Sequence, residues 1–181
     1  VTVYLTADFL YAIYEKVPKS RLRKPVSLML PVNLRNFFPS GSMTNFWSWI
    51  ETAYDCEKNT QFVDILEKMK KQFGKESLKE EISGRMNELV RLEKNPFLRA
   101  VPLEIKNLFL LAGTTLGGRS VTSVYSNIGR IQMPPEYENY IARFGFFAST
   151  DKMQLCSCAY GDELVLGLTS KIVNPNIRRN F

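Results

Sequence analysis

The stretch from Val26 to Val32, VSLMLPV, is apolar at every position but Ser27. A run this short and this apolar reads as a strand covered on both faces, with Val26, Leu28 and Leu30 sharing one of them. A strand buried on two sides needs layers above and below it, which restricts the chain to folds with a packed sheet. Within a few residues the run turns polar at Asn33 and Arg35. Two positions apart on an extended chain, these planar hydrogen-bonding side chains are expected to point the same way. Polar groups at the mouth of a buried strand either build a binding site or close the core with a satisfied polar network.

Periodicity then changes along the chain. Thr6 to Val17 sets Phe9, Leu10, Ile13 and Val17 at helical spacing, and Pro18 stops that helix. After a turn at Pro39, Ser40 and Gly41, the segment Met43 to Tyr54 reads as a second strand rich in β-formers. From Asn59 onward Phe62, Ile65, Leu66, Met69 and Phe73 mark an amphipathic helix expected to end at Gly74. Ser77 with Glu80 suggests a capping box opening a second helix, which carries Ile82, Met86, Leu89 and Val90 and ends before Asn95-Pro96. A third helix, Leu103 to Ala112, is apolar nearly all round and is expected to be the buried helix of the domain.

The glycine-rich Gly113 to Gly118 matches no phosphate-binding fingerprint, is followed by no lysine and lies after a helix, so it reads as a flexible turn. Arg119 to Asn127 follows as a strand, and Pro134-Pro135 breaks the chain before a helical turn at Tyr137 to Ile141. Ala142 to Ser149, Met153 to Tyr160 and Leu164 to Thr169 complete the strands, with a tight hairpin at Gly161-Asp162. Three helices grouped mid-chain between strands predict one α/β domain spanning residues 1–181, a mixed, largely antiparallel sheet with helices packed on it.

Composition narrows the function classes. The chain has 181 residues, 45% hydrophobic and 23% charged, which suits a globular protein with a real core. No apolar run approaches a membrane span and no signal peptide pattern opens the chain, so the expected location is cytoplasmic. The net charge of +6 leaves anionic partners open. The cluster Lys19, Arg21, Arg23 and Lys24 and the pair Arg178 and Arg179 lack the interleaved aromatics of a single-strand binder, so nucleic acid is not an expected partner. Cys56, Cys156 and Cys158 make neither a disulfide framework nor a zinc site, and the last two share a strand face as small core residues. The chain contains no histidine, which rules out a Ser-His-Asp triad, a Cys-His pair and a histidine metal site within these residues. Thr2 is already in helical stride, and Asn174-Pro175-Asn176 signals a helix start with little after it; both suggest a portion excised from a longer polypeptide.

Two motifs carry a resemblance. PVNLRNFFPSGSMTNFW at Pro31 to Trp47, together with SVYSNIGRIQMP at Ser123 to Pro134, resembles the C-terminal half of the chloramphenicol-acetyltransferase-like acyltransferases, in the branch of alcohol acetyltransferases and condensation domains. The order of elements is similar across nearly the whole chain. The resemblance implies one lobe of a two-lobed fold, in which acyl donor and acceptor approach along a tunnel between the lobes. It implies that the catalytic histidine of an HHxxxDG motif lies in the N-terminal lobe, the main partner, so that this chain alone is inactive and supplies the opposite tunnel wall. No cofactor is expected to bind tightly; acyl-CoA, or a carrier-protein thioester in its place, is the implied co-substrate. By position Ser126 and Asn127 correspond to a polar strand end facing the tunnel, and Asn33, Arg35 and Asn45 to the lobe junction, where Arg35 is expected to pair with a carboxylate of the other lobe. An exposed lobe interface also offers a route to a dimer. The rival reading is a non-enzymatic interaction module that keeps the fold and lacks the chemistry.

Overall fold

The computed structural model describes residues 1–16, 18, 25–41, 43–57, 59–76, 79–148 and 151–171, and the side chains of these except 76 and 116–119. The basic cluster at 19–24, the capping-box serine at 77 and the expected C-terminal helix start therefore lie outside the described residues.

Five strands form one sheet in the order β2-β1-β3-β4-β5. They are β1 (Val26–Asn33), β2 (Trp47–Tyr54), β3 (Ser123–Arg130), β4 (Met153–Tyr160) and β5 (Glu163–Thr169). The β1–β2 and β4–β5 pairs are antiparallel, whereas β1–β3 and β3–β4 are parallel. The sheet is thus mixed, but not largely antiparallel as the strand count suggested. The helical block between β2 and β3 forces a crossover that returns the chain parallel to β1.

Helix α1 (Thr2–Lys16) buries Leu5, Phe9, Leu10 and Ile13 against one sheet face. Helix α2 (Phe62–Glu76) lies beside it, contributing Ile65 and Met69 to a core with Leu28, Leu30, Ile50, Tyr125 and Leu155. Each large apolar side chain fully buried there contributes about 1.5–3 kcal/mol relative to exposure. Gly74 does not end α2, which continues to Glu76. Helices α3 (Lys79–Lys94), α4 (Pro96–Ala100) and α5 (Leu103–Ser120) complete the block. Asn95 caps α4, its Oδ1 accepting from the amides of Phe97 and Leu98.

Two expectations about α5 fail. Its apolar residues are not buried: Leu103, Leu108, Phe109, Leu110 and Leu111 are each more than half exposed. The glycine-rich segment is also not a turn, because the helix runs on through it to Ser120. Thr114 and Thr115 keep their hydroxyls on the Leu111 carbonyl (3.0 and 2.6 Å), so these side chains bond within the helix instead of breaking it.

Strand β2 begins at Trp47, later than Met43, and β3 at Ser123, later than Arg119. The short helix α6 is Pro135–Glu138. The described part of the expected Ala142–Ser149 strand, residues 142–148, is not a strand, Ser149 lying outside the described residues: β4 already has β3 and β5 as neighbours, and residues 141–148 run outside the sheet ladders, packing against the second face of β4 and β5. There Phe144 packs edge-on against Tyr160 with ring centroids 5.0 Å apart, and Thr169 Oγ1 donates to the Ala148 carbonyl. Gly167 lies directly beneath; a Cβ at that position would sit 2.6 Å from both the Phe146 carbonyl oxygen and the Phe147 ring. Cys156 and Cys158 are buried on that same face, as expected of small core side chains. The Gly161-Asp162 hairpin is present, with Gly161 at φ 56°.

Candidate functional site

The feature that creates a site is a fork in the sheet. The Ser27 carbonyl accepts from the Thr122 amide at 2.9 Å, and the Ser27 amide donates to Thr122 Oγ1 at 3.1 Å. The amide and carbonyl of one strand residue point to one side, and the side alternates along the chain, so Ser27, Met29, Pro31 and Asn33 all face β3. Pro31 has no amide hydrogen to give, and the β1–β3 ladder stops at Met29↔Val124. Strand β3 nevertheless continues beside β4 as far as Arg130. Beyond Met29 the two parallel strands therefore share no ladder.

A cleft of about 280 Å³ occupies the mouth of this fork. Leu30, Pro31, Val32, Ile50 and Phe73 make its apolar wall, and Asn33, Asn36 and Asn127 supply the polar rim, with Thr2, Tyr125 and Ile128 closing it. The carboxyl ends of adjacent parallel strands, with a helix layer on one side, are a recurrent position for ligand sites in α/β sheets.

Asn127 is held on two sides. Its Nδ2 donates to Thr2 Oγ1 at 2.8 Å, tying β3 to the start of α1, and its Oδ1 accepts from the Gly129 amide at 2.8 Å. The second bond stabilises a bulge at which the β3–β4 register shifts, with Gly129 at φ 84°. Tyr125, fully buried, hydrogen-bonds Ser157 Oγ at 2.9 Å, and burial raises its phenol pKa further above the neutral range, partly countered by that bond.

The expected pairing of Asn33 and Arg35 on an extended chain does not occur. Strand β1 ends at Asn33 and a single 3-10 turn, Leu34–Asn36, follows. Asn33 caps that turn, its Oδ1 accepting from the Arg35 amide at 3.1 Å, because a side chain with a nearby backbone donor competes with continued extension. The turn sends Arg35 onto the 37–46 loop, where Nη2 donates to the Thr44 carbonyl at 2.8 Å and the guanidinium lies 5.9 Å from the centroid of the Phe46 ring. Asn45 is exposed on the same loop. Neither Arg35 nor Asn45 lines the cleft. Ser126 does not line it either: alternation along β3 sets its half-buried side chain on the opposite sheet face from Asn127. The structure thus brings Asn33 and Asn127 together and sets Ser126, Arg35 and Asn45 apart from them.

Sequence reasoning missed Tyr125, Asn36, Phe73 and Thr2. The available signal was Pro31, since a proline inside a central strand removes a ladder bond and marks the place where the sheet opens.

Among the described residues the lining of the cleft holds no carboxylate, amine, imidazole or thiol. Its chemistry is that of neutral amides and an un-ionised phenol, which bind and orient a polar group without moving a proton at neutral pH. Burial lowers the pKa of Lys152, but its ammonium donates to the Val121 carbonyl at the opposite end of the sheet, beside the starts of β3 and β4. Among the described residues no group of side chains could hold a metal ion, and no helix is long and apolar enough to cross a membrane. No protein-family model, curated protein or solved structure matches this chain.

Proposed function

We propose that this chain is the C-terminal lobe of a two-lobed acyltransferase that moves an acyl group, acetyl in the simplest case, from coenzyme A to an alcohol or amine. The observation that carries the reading is the cleft at the β1–β3 fork, apolar along its wall and amide-rimmed at the carboxyl ends of the strands. An apolar wall suits an acyl chain, and carboxamide donors at the rim suit the carbonyl oxygen of a thioester. Among the described residues the lining has no group able to deprotonate an acceptor, so the base belongs to the other lobe, in keeping with a chain that has no histidine. In this reading Asn127 and Asn33 orient the acyl donor, and Arg35 pairs with a carboxylate of the other lobe and braces the junction. A carrier-protein thioester as donor fits the same cleft chemistry.

A second reading, a non-enzymatic interaction lobe, is favoured by one observation. Helices α3 to α5 enclose an open apolar groove of about 560 Å³ lined by Leu92, Leu98, Val101, Phe109 and Leu110.

The test is an acyl-transfer assay on the full-length protein with a panel of acyl-CoA donors and alcohols, followed by free thiol release. The reading expects release that needs a histidine outside this chain and falls on Asn127→Ala. If the reading frame extends roughly 200 residues upstream, about one further domain, and contains HHxxxDG, but no donor, coenzyme A or carrier-linked, releases thiol, the enzyme reading is overturned. A frame that begins near Val1 overturns it as well.

A further inference from the structure

Among the described residues β5 is an edge strand, with β4 on one side and no strand on the other. The Ile131 amide donates to the Ala159 carbonyl at 2.8 Å, so the odd-numbered residues of β4 face β3 and the even-numbered ones face β5. The partners of those even residues are Thr169, Gly167, Val165 and Glu163. The amides and carbonyls of Leu164, Leu166 and Leu168 consequently point away from the sheet. The opposite edge is treated differently. Gln72 of α2 covers β2 there, accepting from the Ala53 amide at 3.3 Å and donating to its carbonyl at 3.0 Å, while Arg85 of α3 donates to the Trp49 carbonyl at 2.6 Å. Side chains protect one edge, and β5 has no counterpart among the described residues.

The side chains on β5 match this arrangement. Leu168 packs against the core, whereas Leu164 and Leu166 are 47% and 39% exposed on the helix-bearing face. The three outward residues are symmetric about Leu166, and all three are leucine.

We propose that β5 pairs with β5 of a second copy of this chain, antiparallel about a two-fold axis at Leu166, to make one sheet continuous across the dimer. In that register Leu166 faces the partner's Leu166, and Leu164 faces the partner's Leu168. Each of these pairs exchanges both backbone hydrogen bonds, so the outward amides and carbonyls of all three residues are satisfied at once. The leucines meet in cross-strand pairs on one face. Glu163 falls opposite the partner's Thr169, and no like charges oppose each other across the pairing. A shift by one residue would set the outward groups against groups already bonded to β4, and a shift by two would leave one of the three leucines opposite a residue outside β5, so only this register pairs all three. The occupant is a strand because the edge offers backbone donors and acceptors, and a second copy because this sequence is self-complementary in the only phase that satisfies them.

The test is sedimentation equilibrium on the 181-residue chain and on Leu166→Lys and Leu166→Glu. The wild type is expected to form a concentration-dependent dimer. Each variant sets like charges opposite each other on the axis and is expected to weaken the dimer by roughly tenfold or more, while an equimolar mixture of the two restores a heterodimer. A wild type that stays monomeric overturns the proposal, as does a dimer indifferent to both substitutions, which would place the interface elsewhere, such as the apolar face of α5. Should both variants fail to fold, hydrogen exchange on the wild type decides: amides of residues 164, 166 and 168 protected in proportion to protein concentration support the pairing, and exchange independent of concentration overturns it.

Discussion

Helices α1 and α5 are both largely apolar, and they have opposite fates. In α1 Phe9, Leu10 and Ile13 are within 1% of full burial beneath α2 and the sheet. In α5 Phe109 and Leu108 are about 70% exposed. The difference teaches that apolar composition states a demand for cover without saying what meets it. Helix α1 meets it with the sheet face formed by β1, β3 and β4. Helix α5 lies in the α3–α5 block, whose described contacts leave most of its surface to solvent.

The sharpest way to break this comparison is to truncate one phenylalanine in each helix. Phe9→Ala is expected to destabilise the chain by about 3–5 kcal/mol, the cost of emptying a closed core site. Phe109→Ala should change unfolding midpoints hardly at all, by less than about 0.5 kcal/mol, as for a surface position. Chemical denaturation of both variants measures the contrast. Comparable losses would mean that α5 is covered in solution.

Gly167→Ala tests whether the second sheet face is as tightly packed as the first. The added methyl meets backbone as well as a ring, so segment 141–148 must shift; a loss of about 1–3 kcal/mol is expected, with β5 loosened in hydrogen exchange. Next in size is Tyr125→Phe, which leaves Ser157 Oγ without its buried partner and is expected to cost about 1–2 kcal/mol while the cleft keeps its shape. Thermal unfolding reads both.

The last effect, small and confined to a change of pH, concerns Asp8, on α1 itself. Partial burial raises its carboxyl pKa, so the folded state binds the proton more tightly than the unfolded chain does. Stability therefore falls as the pH rises through the carboxylate range. Asp8→Asn removes that dependence: the variant should match the wild type below the unfolded carboxylate pKa of about 3.9 and exceed it at neutral pH by less than about 1 kcal/mol. Denaturant midpoints at acid and neutral pH check the sign.

Much of the core was legible because it follows from short-range spacing. Phe9, Leu10 and Ile13 recur at helical intervals, as do Ile65 and Met69, and Val26, Leu28 and Leu30 alternate, so each set had to share a face. The candidate site was legible in half. Asn33 and Asn127 stood out as polar ends of apolar strands, and they meet in one cleft. Ser126 and Arg35 stood out for the same reason and point elsewhere, one because a strand alternates faces and the other because Asn33 starts a 3-10 turn.

Local sequence determined which faces of α1, α2 and β1 are apolar, and that no imidazole can serve as a base within this chain. Those properties depend on side-chain chemistry and on neighbours within one or two turns. Tertiary structure alone decided the strand order, the fork left where Pro31 has no amide to give β3 and, among the described residues, the cover that α1 finds and α5 lacks and the open edge of β5. Each of these depends on which distant segment supplies the missing partner, and loop closure over some ninety residues between β1 and β3 leaves no trace in local periodicity.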